Sequence, residues 1–379
     1  SGSSCRVDCN GEWQPSRSTN WLTFGLDLEF LSTNAEEIRL STHWEVFHMR
    51  MLKIAGAGAL IAISMGLAGP SISAEVKLKA ISGWPKSFPM VAKDFLLFID
   101  EANKRGKGHF QMKWTGGAEL GKPPAQAKGF KAGIYDVMYT AASYLRGMAP
   151  EVDAMSSNTI KPWDARKSGG MAVLNKAMSK RLKGIILTQT ASSVQFQLYL
   201  RKKPTIGSDG VISLKGFKMR SVPIYDGFLK GLGATTMTVH VPEIYEALQR
   251  GVVDGFPFPN LWTRKFKWQQ FVTHTVHPSF YQIEACIFIS NKALGKLSPE
   301  GRKIMLKAGE DWERVSADIW GPKVAAEREI YKKGGAKEII MTGAAAKKYV
   351  DLANETPIVR LKKLDSPEAK ELSRLFHGQ

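Results

Sequence analysis

A chain of 379 residues that is 44% hydrophobic and 23% charged has the composition of a folded soluble protein, with enough apolar material for two cored domains. Its formal charge of +18 is high, yet Lys and Arg are spread singly or in pairs such as Lys202-Lys203, Lys332-Lys333 and Lys347-Lys348. Charge dispersed in this way makes a solvated basic surface, and with no basic helix or nucleic-acid signature it excludes nucleic acid as the expected partner.

The N-terminal stretch separates from the rest. From Met49 the residues MRMLKIAGAGALIAISMGLAGPSISA give a positive start at Arg50 and Lys53, an apolar run from Ile54 to Leu67 and small residues ending at Ala74. This is the pattern of a secretory signal peptide over 49–74, and the run is shorter than the about 20 apolar residues a membrane-spanning helix needs. Residues 1–48 then precede a signal that belongs at an N-terminus, and are expected to be a non-native or mis-assigned extension. Five of the 53 basic and seven of the 35 acidic residues lie in 1–74, so the remaining chain keeps a formal charge of +20. Of three cysteines only Cys286 remains in it, which excludes an internal disulfide and a paired-cysteine metal site. The expected location is the periplasm.

The mature chain begins with EVKLKAIS (75–82), whose alternation predicts a strand, and GWPKSFP breaks it into a loop. MVAKDFLLFIDEANKRGKG carries helical spacing closed by Gly106; HFQMKW is a second strand; a helix near 125–132, the strand YDVMYT and the loop AASYL follow. GIILTQTA (184–191) and VQFQLYL (194–200) read as strands. LKGFKMRSV opens another strand–helix unit with a short helix over 225–232; ATTMTV is a strand, and PEIYEALQR a helix with Pro242 in its first turn. VVDGF returns as a strand, FYQIEACIFIS is a strongly alternating one, and SPEGRKIM to YKKG reads as long helix, with more helix after Gly343. Repeated strand–helix units predict an α/β fold, and two such halves with a chain crossing back between them predict a ligand cleft at the junction.

Motifs that would carry catalysis or metal binding are missing. There is no HExxH, CxxC, Walker loop or G-x-S-x-G elbow, and GLGATT (231–236) lacks the third glycine of a dinucleotide turn. His274 and His277, read as a loop pair, have no further ligand beside them, and His109, His240 and His377 stand apart. No nucleophile and base assemble, so no catalytic residue, metal or cofactor is expected. An exported cleft enzyme acting on organic acids is the alternative from another class.

The runs LKGFKMRSVP, GLGATTMTV and PEIYEALQRGVVDG resemble the dicarboxylate-binding branch of the solute-binding proteins of tripartite ATP-independent periplasmic (TRAP) transporters. TGGAELG (115–121), KAGIYDVMY (131–139) and KLSPEGRKIM (296–305) extend the likeness from Glu75 to the C-terminus. The resemblance implies a periplasmic-binding-protein-like α/β fold: two domains around a cleft, joined by hinge strands and spanned by a long C-terminal helix. Domain I is expected over 75–193 and 284–322, and domain II over 194–283 and 323–379. It further implies a monomeric receptor that closes on a small organic acid and delivers it to TRAP membrane permease subunits.

Arg220 matches the family's carboxylate-pairing arginine, and its planar donor fork suits a carboxylate. Two departures shape the expected ligand. Where relatives that bind doubly charged acids often supply a second arginine, this chain has Phe196 and Gln197. After Asp254-Gly255, where a polar pair is common, it has Pro257 and Phe258, with Asn260 two places on. Trp84 in the first loop and Ser143 and Tyr144 in the loop after the third strand complete the expected site. The ligand is therefore expected to be a monocarboxylate with an apolar or aromatic body: Arg220 holds the carboxylate; Trp84, Phe196 and Phe258 flank the body; Gln197, Tyr144 or Asn260 reads a polar substituent. A C4-dicarboxylate or 2-oxo acid is the alternative within the class.

Overall fold

A computed structural model of the chain describes residues 74–156, 158–239 and 241–377. The expected extension over 1–48, the expected signal peptide save Ala74, and His240 lie outside the described residues.

In chain order the first part forms β1 (Val76–Ser82), α1 (Leu96–Arg105), β2 (Phe110–Gly116), α2 (Pro123–Ala132), β3 (Val137–Ala141), α3 (Pro162–Lys167), α4 (Gly170–Leu182) and β4 (Gly184–Thr190). The middle forms β5 (Phe196–Leu200), β6 (Lys218–Ser221), α5 (Asp226–Gly231), β7 (Thr235–Thr238), α6 (Ile244–Gln249), β8 (Gly255–Pro259) and β9 (His274–His277). Then come β10 (Ala285–Ser290), α7 (Asn291–Lys296), α8 (Pro299–Lys333), β11 (Lys337–Ile340), α9 (Gly343–Lys362) and α10 (Pro367–His377).

These strands make two mixed sheets, one per lobe. The first has the order β2-β1-β3-β10-β4, parallel through β3 and antiparallel at β10. The second has the order β11-β9-β5-β8-β6-β7. Both faces of each sheet are covered, which is why β3 and β10 read as nearly continuous apolar runs. In the first sheet Leu78, Tyr139 and Ile287 pack toward Phe98 and Trp312, while Met138 and Phe288 pack toward Phe130 and Leu174. In the second, Leu198 and Met219 meet Phe228 and Tyr349 on one face, and Tyr199 and Phe256 meet Trp268 and Tyr331 on the other.

The chain crosses between the sheets at 191–195 and returns at 278–284. These two crossings run side by side, bonded through Phe196 N to Tyr281 O at 2.8 Å and Ile283 N to Val194 O at 3.0 Å, with Gln195 and Gln282 bridged antiparallel. Helix α8 is the third connection. Ser298 caps it by accepting from Gly301 N at 3.1 Å, and Pro299 occupies the first turn, where no intrahelical donor is needed. Its first half lies on the first lobe, with Ser316 Oγ accepting from Ala191 N at 2.7 Å; its last turns lie on the second, where Thr263 Oγ1 donates to Glu327 at 2.8 Å. Pro322, which cannot donate to the preceding turn, falls between those two regions.

Two expectations are corrected and one element was missed. Helix α10, placed by the sequence in domain II as part of 323–379, packs Leu372 and Phe376 among Met171 and Leu174 of the first lobe, because its apolar face matches the open side of α4. β11 was not anticipated; it pairs parallel with β9, His274 against Lys337. His274 and His277 lie in β9 and not in a loop, and a spacing of three in a strand points them to opposite faces, so they cannot share a metal.

Candidate ligand-binding cleft

The end of the second sheet that faces the first lobe is built by the first residue of β5, the last residues of β8 and the C-terminus of β6. Two Phe-Pro pairs make β8. Arg201 N donates to Asp254 O at 2.9 Å and Asn260 N to Gln195 O at 2.7 Å, and these bonds bracket its antiparallel ladder with β5. By the two-residue period, Phe256 and Phe258 turn their N–H groups toward β5, while Pro257 and Pro259 fall on the alternate positions facing β6. That side needs no donor there, since the β6 ladder registers only Gly255 with Met219. The carbonyl of Pro257 is thus left for side chains.

Arg220 takes it. Arg220 is 4% exposed, and its guanidinium donates from Nε to Val239 O at 2.9 Å and from Nη1 to Pro257 O at 3.4 Å and to the Tyr225 hydroxyl. All three acceptors are neutral. The Tyr225 hydroxyl donates in turn to Pro257 O at 3.3 Å, and burial pushes its pKa up to about 12 against the opposing field of Arg220. Phe196 stacks its edge near Tyr225, ring centroids 5.8 Å apart.

The first lobe contributes the loops after β1 and β3. Ser82 Oγ donates to Trp84 O at 2.7 Å, and Gly117 passes so close that a Cβ there would sit 2.5 Å from the same carbonyl. The Trp84 ring lies 6.3 Å from Tyr144 and 5.8 Å from Phe88. Tyr144 is 49% exposed, yet burial raises its hydroxyl above the ordinary value, with Glu284 adding to the rise and Arg220 opposing it. Next in the chain after Ala142, whose N–H donates to Glu284 O at 2.9 Å, comes Ser143; burial raises the Glu284 pKa and Ser143 opposes the rise. On one flank the lobes meet: Lys265 Nζ donates to Ser87 O at 2.7 Å, and Phe88 lies 5.5 Å from Trp262.

Phe196 and Arg220 thus meet through Tyr225 on the second lobe, and Trp84, Ser143 and Tyr144 stand on two neighbouring loops of the first. The other three expected residues are engaged elsewhere. Gln197 alternates to the opposite face from Phe196 and its Nε2 meets His277 Nε2 at 3.0 Å. Asn260 Oδ1 accepts from Gln195 N at 3.0 Å. Both line a separate cavity of about 520 Å³ under α8, with Thr275, Tyr331 and Arg328. Phe258 is 8% exposed and packs on Trp268 at 4.8 Å and Phe266 at 6.0 Å. A larger groove of about 1090 Å³ beside α9 is lined by Asp209, Lys348 and Asp351, among others, and its Lys348 already pairs with Asp209 at 2.7 Å.

Sequence reading missed Tyr225, Glu284, Phe88 and Trp262. Tyr225 stands five residues after Arg220, and the tight turn that returns it, Tyr225 N to Val222 O at 3.2 Å, was hidden in what read as a helix start. The expected absence of a metal rests on sequence; among the described residues no group of three or more His, Cys, Asp or Glu could hold one.

A family model described as bacterial extracellular solute-binding protein, family 7, matches residues 82–355. A solute-binding protein of Albidiferax ferrireducens is 24% identical over 274 residues, 68% of this chain and 78% of that protein. Among solved structures, a TRAP periplasmic solute-binding protein from Rhodoferax ferrireducens with bound malonate superimposes with a TM-score of 0.64 at 20% identity, over 79% of this chain and 97% of that one. DctP7 of Bordetella pertussis, an extracytoplasmic solute receptor binding pyroglutamic acid, gives 0.64 at 16% identity, over 79% and 99%. At these identities the two structures establish the shared fold.

Proposed function

The chain belongs to family 7 of the bacterial extracellular solute-binding proteins, and on that premise we propose that it is a TRAP-type receptor for a small monocarboxylate with an apolar or aromatic body. The family is one of solute receptors and not of enzymes. One observation carries the ligand assignment: an arginine 4% exposed whose guanidinium hydrogen bonds all end on neutral oxygens. A buried cation without an anion is costly, and a ligand carboxylate supplies the missing partner. Nε and Nη1 carry the existing bonds, which leaves Nη2 for the incoming acid.

Trp84, Tyr144 and Phe196 flank the apolar body, and Ser143 meets a polar substituent. Phe258, Gln197 and Asn260 act from behind as packing and hinge groups. The lobes close on the acid because only the closed state gives it both Arg220 and the Trp84–Tyr144 wall. Residues 75–193 and 284–322 form one lobe and 194–283 with 323–362 the other, with α10 added to the first. The receptor works as a periplasmic monomer exported by its signal peptide, and hands the acid to membrane permease subunits.

A thermal-shift screen against carboxylic acids tests this. Binders raise the unfolding midpoint, and benzoate-like acids should do so more than succinate. If no carboxylate raises it, or if mass spectrometry finds the acid consumed, the receptor reading fails.

A further inference from the structure

The face of the second sheet that α8 covers changes character along its length. Where Tyr199 and Phe256 meet Trp268 and Tyr331 it is packed with rings, as a covered sheet face ordinarily is. Toward the crossings between the lobes it is not. Gln195, Gln197 and Tyr199 alternate onto this face along β5 and its approach; Thr275 pairs opposite Tyr199, and His277 and Ser279 follow it. Against them α8 sets Gly321, Val324 and Ala325, spaced to share one side of the helix. Polar side chains facing small ones leave the cavity of about 520 Å³, a volume in the range of small-molecule sites.

The charges around this cavity are already paired. Arg328 gives Nε and Nη2 to the two oxygens of Glu338 at 2.6 and 3.1 Å, Glu327 accepts from Thr263 Oγ1 at 2.8 Å and Arg264 N at 3.2 Å, and Glu329 accepts from Lys332 at 3.1 Å. The carboxamides are not. Gln197, 6% exposed, spends one end of its amide on His277, and Asn260 spends Oδ1 on Gln195 N. The other end of each, the Gln195 amide and the Ser279 hydroxyl have no hydrogen-bond partner among the described residues.

Buried and half-buried amides without partners are costly, so these groups favour a molecule that bonds to them. A carboxamide offers a donor and an acceptor side by side, and a hydroxyl group is both at once. An ionised ligand would find no free charge to offset its own.

We propose that this cavity is a second binding site, separate from the one at Arg220, and that it takes a neutral polyhydroxylated molecule of hexose size or smaller. Arg220 lies on β6, two strands from β5, and is not among the lining residues. The probes are glycerol, xylose, glucose and myo-inositol, with glucosamine and glucuronate as charged counterparts, each titrated into the parent protein and followed by ligand-observed NMR. At least one neutral probe should bind. Ala325→Phe, a change at an exposed helix position on the cavity wall, should weaken that binding at least tenfold. Gln197→Leu should do the same, and Arg220→Ala should change it less than twofold. Of the binding that Ala325→Phe removes, the neutral probe's should be at least tenfold tighter than that of either charged sugar.

The proposal is overturned if no neutral probe binds the parent, if binding survives Ala325→Phe, if a folded Arg220→Ala protein loses it, or if a charged sugar occupies the cavity as tightly. Should Gln197→Leu not fold by circular dichroism, Ala325→Phe decides alone.

Discussion

Arg220 and Tyr225 converge on one oxygen, the carbonyl of Pro257, with the guanidinium 3.4 Å from it and the phenol 3.3 Å from it. The phenol also accepts from the guanidinium. Two side chains five residues apart are thereby tied to a neighbouring strand at a carbonyl that the β6 ladder leaves unpaired. The arginine is held in place before any ligand arrives, which lowers the ordering cost of binding.

Removing the phenol should loosen that hold without unfolding the lobe. Tyr225→Phe keeps the ring against Phe196 and loses the hydroxyl, so affinity for the bound acid should fall about tenfold, or about 1.4 kcal/mol. Calorimetric titration of parent and variant measures it, and equal affinities would show that Arg220 needs no such support.

Asp94 predicts a pH dependence of stability. It is fully buried, accepts from Trp312 Nε1 at 2.6 Å, Ser316 Oγ at 2.5 Å and Trp320 Nε1 at 2.7 Å, and burial raises its pKa from 3.8 to about 6. The folded state therefore holds this proton more tightly than the unfolded state. Its contribution is most favourable below pH 4 and is lost as pH rises through 6, by about 3 kcal/mol. Urea unfolding of parent and Asp94→Asn at pH 4, 5, 6 and 7 should show the difference between them changing by about 2 kcal/mol over that range, and parallel curves would contradict it.

Gly309 seats α8 on β4. A Cβ there would stand 2.5 Å from the Leu187 carbonyl, which as backbone cannot give way. Gly309→Ala should therefore lower stability by about 1–3 kcal/mol despite alanine's better helix propensity. Chemical denaturation reads the change, and a stabilised variant would mean the helix can shift outward.

Phe258 distinguishes packing from ligand contact. With its ring against Trp268 and Phe266, Phe258→Ala should cost about 3 kcal/mol of stability while changing affinity less than threefold. A stable variant with lost affinity would return Phe258 to the cleft.

Much of the fold was legible because its local signals agree. The alternation in 75–82, the Gly106 stop and the Ser298-Pro299 start each report a boundary that local chemistry sets. β11 was not legible: only four residues long, with an alternation too short to register, it exists because β9 offers an edge to pair with. The position of α10 was equally hidden, since its apolar face states that it packs but not on which lobe. For the cleft, Arg220 could be read from its flanking motif. Gln197 and Asn260 stand at positions adjacent in sequence to the cleft, but strand alternation for one and a hinge bond for the other point them away, and neither effect is visible before the strands are paired. Paired with β5, the two Phe-Pro pairs are a strand that spends its donors on one side only.

The central claim is that a buried guanidinium awaits a carboxylate. Its most direct test is calorimetric titration of the parent and Arg220→Ala with the strongest acid from the screen, alongside that acid's primary amide. The account predicts that the parent binds the acid at least a hundredfold more tightly than the amide, and that Arg220→Ala removes the difference while remaining folded by circular dichroism. A folded Arg220→Ala protein that still prefers the acid to its amide by the parent's margin would contradict it.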